Sequence, residues 1–260
     1  MNHFLRRSLS SFIYAGINLF GQKPANSVRI LCYHRINGEG KDYLDVSCTN
    51  FKIQMEFLKQ EGYQTVSLHD VVTHSVSVVQ RPVVITFDDG YRDNYENAFP
   101  IMKSFGFTGT VFLVTDKIGK DDFLTLDQIQ EMKRSGFEFG SHTSSHMELP
   151  NLSYEEKERE IVKSKSELEK KLGEPVNFFC YPKGLYDSDS LKLVQTAEYL
   201  AACSNRPGSN FIASRNGRFN PYLLKRTEIA SHDSLSDFKK KLAGAYDWIH
   251  QALHALRGMP

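Results

Sequence analysis

From residue 28 onward, short apolar runs alternate with stretches in which hydrophobic residues recur every three or four positions. The runs predict strands at 28–33, 83–87, 110–114, 137–141, 176–181 and 223–230. The periodic stretches predict helices at 50–61, 94–105, 126–135, 153–172, 188–198 and 234–254. Strand and crossover helix in alternation is the order of a parallel sheet with helices on its faces. Val83-Val84-Ile85-Thr86-Phe87 is apolar nearly throughout, where a half-exposed strand would alternate, so it is expected at the centre of the sheet. No fixed-period repeat, low-complexity tract or long linker divides residues 28–260, which are expected to form one α/β domain.

Residues 1–27 carry a different pattern. Arg6 and Arg7 precede an apolar run at 11–20 that has the outline of a signal peptide but no small-x-small cleavage site after it. Leu5, Leu9, Phe12, Ile13, Gly16 and Phe20 recur at helical spacing beside basic residues, the pattern of a helix lying in a membrane interface. Peripheral membrane contact through residues 4–20 is one expectation; a helix packed on the domain's own surface, or plugging one end of it, is the other.

Composition narrows the function classes. Lys and Arg number 32 against 31 Asp and Glu, and a net charge of +1 gives no whole-domain electrostatic case for nucleic acid. No stretch approaches 18 consecutive apolar residues, which excludes a transmembrane bundle. Four cysteines, at 32, 48, 180 and 203, show no CxxC spacing, so a thiolate metal cluster is unsupported and a disulfide framework is not required. Few cysteines and no clear cleavage site favour the cytoplasmic face of a membrane over the cell envelope.

Polar and ionisable residues gather where the predicted strands end. Residues 83–87 run into Asp88-Asp89-Gly90, 137–141 into His142, 28–33 into His34, and 176–181 into Pro182-Lys183-Gly184. In a parallel α/β barrel or open sheet, ligands bind at the carboxyl ends of the strands, so these four ends point to one site. His142 and His146 stand four positions apart and can reach one ion, though among nine histidines such a pair alone is a weak signal. Adjacent acids at a strand end repel each other and are a poor solution for stability alone. A divalent ion that takes Asp88 or Asp89 relieves the repulsion, completes a two-His, one-carboxylate set and leaves the other acid free as a base. The plain structural alternative has one Asp capping the helix near Asn94 and the other solvated.

These residues resemble the polysaccharide deacetylases with a NodB-homology domain, carbohydrate esterase family 4. Thr86-Phe87-Asp88-Asp89-Gly90 is similar to the family's first motif, and His142 to His146 to its second, H-[ST]-x-x-H. The likeness covers roughly residues 28–245. It implies a distorted (β/α) barrel with fewer than eight strands and a metal-dependent hydrolase that removes N-acetyl groups from an amino sugar in a glycan. It further implies Asp88 as catalytic base and Asp89, His142 and His146 as ligands of a metal, usually zinc, with another divalent transition metal as the variant.

Phe179-Cys180-Tyr181-Pro182-Lys183-Gly184 fits the frame of the third motif, F-R-P-P-Y-G, but has Cys180 for its arginine and Lys183 for its tyrosine. Arg226 is expected to supply the missing guanidinium to Asp88, and the backbone N–H of Lys183 to face the oxyanion. The late motif with a histidine acid is unclear; His232 lies near its place, in a Ser-His-Asp-Ser turn that also suits a helix start. Leu31-Cys32-Tyr33-His34-Arg35 resembles the opening motif of the circularly permuted poly-N-acetylglucosamine deacetylases. In that branch this histidine does the acid's work and a small residue at the third-motif arginine is tolerated, so His34 is favoured over His232. Two other readings share the fold: an amidohydrolase of a small non-sugar amide, and a catalytically silent glycan-binding domain. Cys180 and Cys32 read as buried fillers, Trp248 as packing in the last helix, and residues 157–171 as a solvated helix face of mixed charge.

Overall fold

The computed structural model describes residues 27–37, 42–211 and 219–247. The interfacial-helix expectation at 4–20, Trp248 and the end of the last predicted helix lie outside the described residues. Among the described residues eleven strands occur in chain order: β1 (Ser27–Tyr33), β2 (Arg35–Ile36), β3 (Asp45–Val46), β4 (Gln64–Thr65), β5 (Pro82–Phe87), β6 (Thr110–Leu113), β7 (Glu138–Ser141), β8 (Phe178–Cys180), β9 (Ala201–Cys203), β10 (Asn210–Phe211) and β11 (Thr227–Glu228). Neighbours in the main sheet run β1-β5-β6-β7-β8-β9 and every pair is parallel. β11 adds in parallel to the outer side of β1, while Leu224, three residues before it, bridges Cys203 of β9. The segment 224–228 thus touches both edges of the curled sheet, which is the distorted barrel of fewer than eight strands that the motifs imply.

β5 is buried on both faces, as its unbroken apolar run predicts: Val83 to Phe87 are all fully covered. Side chains alternate across it. Val28, Ile30, Val84, Phe112, Phe178, Ala201 and Cys203 form an inner cluster, whereas Leu31, Tyr33, Val83, Ile85, Phe87, Val111 and Phe179 pack outward under the helices. Leu68 and Val71 of a short helix missed in the sequence, α2 (Leu68–Val72), join the inner cluster. Val66, just before that helix, hydrogen-bonds Val83 at the start of β5, so α2 covers the amino-terminal end of the barrel. The opposite, carboxyl end is left to the site.

The other helices are α1 (Cys48–Gln60), α3 (Phe99–Ser104), α4 (Leu126–Arg134), α5 (Tyr154–Glu158), α6 (Ser164–Leu172), α7 (Ser188–Thr196) and α8 (Leu235–Ala243). Local chemistry sets their ends: Ser47 caps α1 and reciprocal capping boxes open α4 (Thr125, Gln128) and α8 (Ser234, Asp237). Five expectations are corrected. The helices predicted at 94–105 and 153–172 each contain a π-helical turn, Asn94–Ala98 and Arg159–Lys163. The last one is interrupted after Ala243, where Gly244 takes φ 86°. The single strand expected at 223–230 shrinks to β11. Lys157 is not solvated but 4% exposed, drawn in by an ion pair with Asp187, thirty positions along the chain. No helix of the described residues is long and apolar enough to cross a membrane.

Candidate active site

Alternation along the strands carries the site. Cys32 and His34 continue the inner face of β1, Asp88 that of β5, His142 that of β7 and Cys180 that of β8, so period two delivers all of them to the carboxyl mouth of the barrel. Asp88 and Asp89 then part company. Asp89 (φ 71°) and Gly90 (φ 73°) are consecutive left-handed residues, a conformation Asp tolerates and Gly prefers, and they turn the chain sharply. A Cβ on Gly90 would meet Leu113 Cδ2 at 2.6 Å. Neither acid caps the following helix, whose first residue, Asn94, follows Asp93 with no side-chain cap.

Asp88 is 2% exposed and grips Arg226 through both oxygens, Nη1 to Oδ1 at 2.6 Å and Nη2 to Oδ2 at 2.7 Å. The fork geometry of the guanidinium matches the carboxylate, the strongest form of such a pair. Every other donor direction of Arg226 is used: Nε on the Ser204 carbonyl at 3.1 Å, Nη2 on Asn205 Oδ1 at 2.6 Å and on Cys180 Sγ at 3.1 Å, and Nη1 on Thr86 Oγ1 at 3.3 Å. Burial pushes the Asp88 carboxyl up. Arg226, His142 and His34 outweigh burial and hold it well below the ordinary carboxylate range. Cys180, where the family's third motif has arginine, leaves the room in which Arg226 lies.

Asp89 faces the other way. Its Oδ1 is 3.3 Å from His146 Nε2 and 3.8 Å from His142 Nε2, and the three ligand atoms lie within 4.8 Å of one another. His142 Nδ1 lies 2.8 Å from the Cys180 carbonyl, to which it donates, so Nε2 carries the lone pair. Burial lowers His142 to about 4 against the pull of Asp88 and Asp89, which leaves the ring neutral near pH 7 as a metal ligand requires. Asp89 Oδ1 is buried without a hydrogen-bond donor, a costly arrangement unless a cation completes it. The donor set therefore fits a divalent metal. The loop holding His146 (φ 66°) is pinned by Glu160, which accepts from the Ser145 amide at 2.9 Å and its hydroxyl at 2.6 Å. Glu160 reaches the loop from the π-helical turn.

His34 is 9% exposed with Nε2 3.8 Å from Asp88 Oδ2, so it sits at the mouth beside the pair. His232 is exposed, its ring 5.4 Å from that of Tyr43, two residues before the cap of α8. Lys183 (φ 55°) lies in the turn Pro182–Gly184 after β8, its ammonium paired with Glu148. That turn lies so close to Asn205 that a Cβ on Gly184 would meet the Asn205 backbone N at 2.5 Å. The structure thus brings together Asp88, Asp89, His142, His146, His34 and Arg226, and leaves His232 at the surface.

Sequence reading missed the supports. Asn94 is fully buried and donates to the His34 carbonyl at 2.8 Å; Asp93 accepts from the Ile36 amide at 3.2 Å, fixing the segment after His34. A polar Asp-Asn pair at the buried start of an amphipathic helix was the available signal. Asn205 and Ser204, which hold Arg226, sit in a loop with no pattern of their own.

Comparison with known proteins agrees with this geometry. The family model for polysaccharide deacetylase matches residues 75–202, from before β5 to β9. YxkH of Bacillus subtilis (strain 168) is 32% identical over 228 residues, 86% of this chain and 77% of that protein. Poly-beta-1,6-N-acetyl-D-glucosamine N-deacetylase of Staphylococcus aureus (strain N315) is 29% identical over 206 residues, 66% of this chain and 70% of its own. Among solved structures, the Streptococcus pyogenes deacetylase PplD in complex with acetate superposes with a TM-score of 0.76 at 27% identity, covering 83% of this chain and 98% of that one. With a curved parallel sheet, both motifs at its mouth and relatives matched over most of their length, the chain belongs to the polysaccharide deacetylase family, of the NodB-homology type in carbohydrate esterase family 4.

Proposed function

We propose that the chain is a zinc-dependent deacetylase that removes N-acetyl groups from an amino sugar in a polysaccharide, oligosaccharide or glycolipid. The observation that carries this reading is the convergence of Asp89 Oδ1, His142 Nε2 and His146 Nε2, with Asp88 beside them, gripped through both oxygens by Arg226. Bound by those three side chains, zinc would polarise the amide carbonyl and lower the pKa of water toward about 7. The Asp88 carboxylate takes the proton of the attacking water, and Arg226 fixes the direction in which that carboxylate points. A carbon–oxygen bond forms and the carbon–nitrogen bond breaks; His34 Nε2 gives its proton to the departing amine, and acetate and a free amino sugar leave. The Lys183 amide faces the developing oxyanion, where one well-aimed donor contributes about 3–4 kcal/mol. The relatives named for poly-N-acetylglucosamine favour a sugar over a small non-sugar amide.

Acetate release from N-acetylglucosamine oligomers tests the reading directly. Release is expected with zinc, abolished by a chelator and restored by readdition; no release under any metal would overturn the deacetylase assignment. In the same assay His34→Ala is expected to lose about 10²–10⁴-fold in turnover, the usual share of a general acid, while His232→Ala stays near the parent. The reverse pattern would move the acid to His232.

A further inference from the structure

A second cluster of ligand atoms stands on the inner face, sharing no residue with the first: Cys32 Sγ, His34 Nε2 and Asp88 Oδ2. Sγ is 3.6 Å and Nε2 3.8 Å from the carboxylate oxygen, and the three lie within 4.8 Å of one another. Zinc bonds of about 2.3 Å to sulfur and about 2.0–2.2 Å to nitrogen and oxygen give tetrahedral ligand separations of about 3.3–3.7 Å. The Asp89 cluster, at 3.3 and 3.8 Å, shows the same spacing. Cys32 has no part in the proposed reaction, and His34 Nδ1 is buried without a partner.

We propose that Cys32, His34 and Asp88 form a second metal site for a thiophilic divalent ion, Zn²⁺ or Cd²⁺, and that its occupancy switches the enzyme off. On binding, the Cys32 S–H bond breaks, its proton goes to solvent and a sulfur–metal bond forms, with no change of oxidation state. Arg226 is the cation nearest the site. It donates to Asp88 Oδ2 together with the Cys180 thiol at 3.7 Å and the Cys32 thiol at 3.6 Å; the ion would take the direction the Cys32 thiol now holds, while the new thiolate supplies the negative charge that offsets the guanidinium. Because Oδ2 is shared with Arg226, whereas Asp89 Oδ1 has no competing donor, the second site fills after the first, in metal excess. A thiolate selects soft and borderline ions, so Mg²⁺ and Ca²⁺ are excluded. The remaining group, Asp88 with His142 and Cys180, needs a ligand of the first site and cannot fill alongside it. Inhibition rests on the deacetylase reading, since the ion would occupy both the proposed base and the proposed acid; binding does not.

Cd²⁺ titration followed by the ultraviolet charge-transfer absorption of a cadmium–thiolate bond separates the two. The metal-free parent protein is expected to bind two ions per chain, with the absorption arising at the second. Cys32→Ser and Cys32→Ala should bind one ion without it, and Cys180→Ser should behave as the parent. In parallel, Cys32→Ser should match the parent's acetate release at one equivalent of Zn²⁺ and tolerate at least about tenfold more excess Zn²⁺, since even an outer-shell partner of a metal site is worth about 10–100-fold in affinity. Absorption that survives in both Cys32 variants, no second equivalent in the parent, or unchanged zinc tolerance would overturn the proposal. Absent acetate release with an intact cadmium titration would instead count against the deacetylase reading alone.

Discussion

Asp88→Asn is expected to keep a metal ion on Asp89, His142 and His146 while losing about 10²–10⁴-fold in acetate release, the contribution of a positioned general base. The three ligand atoms converge without an oxygen of Asp88 among them, so the metal content of that site, measured on the purified variant, should stay near the parent's. Amide for carboxylate also places an NH₂ against a guanidinium and leaves Arg226 an uncompensated buried charge. Breaking a buried pair in this way costs about 3–5 kcal/mol, so urea midpoints are expected to fall as well. The assay must therefore run well below the variant's midpoint. Ordinary turnover in a folded, metal-loaded Asp88→Asn protein would remove Asp88 from the mechanism. In the parent, Arg226 holds the Asp88 carboxyl so far down that it stays ionised throughout the working range. Any acid limb of the activity profile near neutrality belongs to another group.

The parts of the site that period two governs were legible in the sequence. Once residues 28–33, 83–87, 137–141 and 176–181 are read as parallel strands, their carboxyl ends fall together, and His34, Asp88, His142 and Cys180 emerge on one side of them. What escaped depends on approach between distant segments. β9 is only Ala-Ala-Cys, too short to show a period, and its pairing with β8 decides it. Asn205 earns its place through the contact of its loop with Gly184, and no local pattern announces that contact. The π-helical turn at Arg159–Lys163 escapes a scan for helical period, yet it is the element that aims Glu160 at the loop between His142 and His146. Lys157 reads as one more surface charge until Asp187 arrives from another helix end. Arg226 is legible only indirectly: the motif's missing arginine leaves a charge requirement at Asp88, and a basic residue near a later strand can satisfy it.

Arg226→Met is expected to lower stability by about 3–5 kcal/mol at neutral pH, because it strands the buried Asp88 carboxylate without its counter-ion. Methionine is long and unbranched enough to fill much of the space over the Phe112 ring, 5.7 Å from the guanidinium carbon, so the loss reports charge more than volume. The pH dependence separates the two. In the parent, the Asp88 carboxyl is depressed on folding, and its stabilisation is fully present above the unfolded value of about 4 and persists until pH falls through the lower folded one. Without Arg226, burial is the largest influence left, and it raises the carboxyl. The sign then reverses: Asp88 binds its proton more tightly in the folded chain, and the variant loses stability as pH rises through that raised value. The gap between parent and variant in urea unfolding of the metal-free proteins should therefore narrow as pH falls toward about 4. Arg226→Lys restores one charge but not the fork, leaving Asn205 or an Asp88 oxygen without its donor, and should recover only part of the loss. A gap that stays constant from neutral to acid pH would show that Arg226 acts by packing alone. Asp88 would then owe its orientation to the strand end, and its low carboxyl to the histidines.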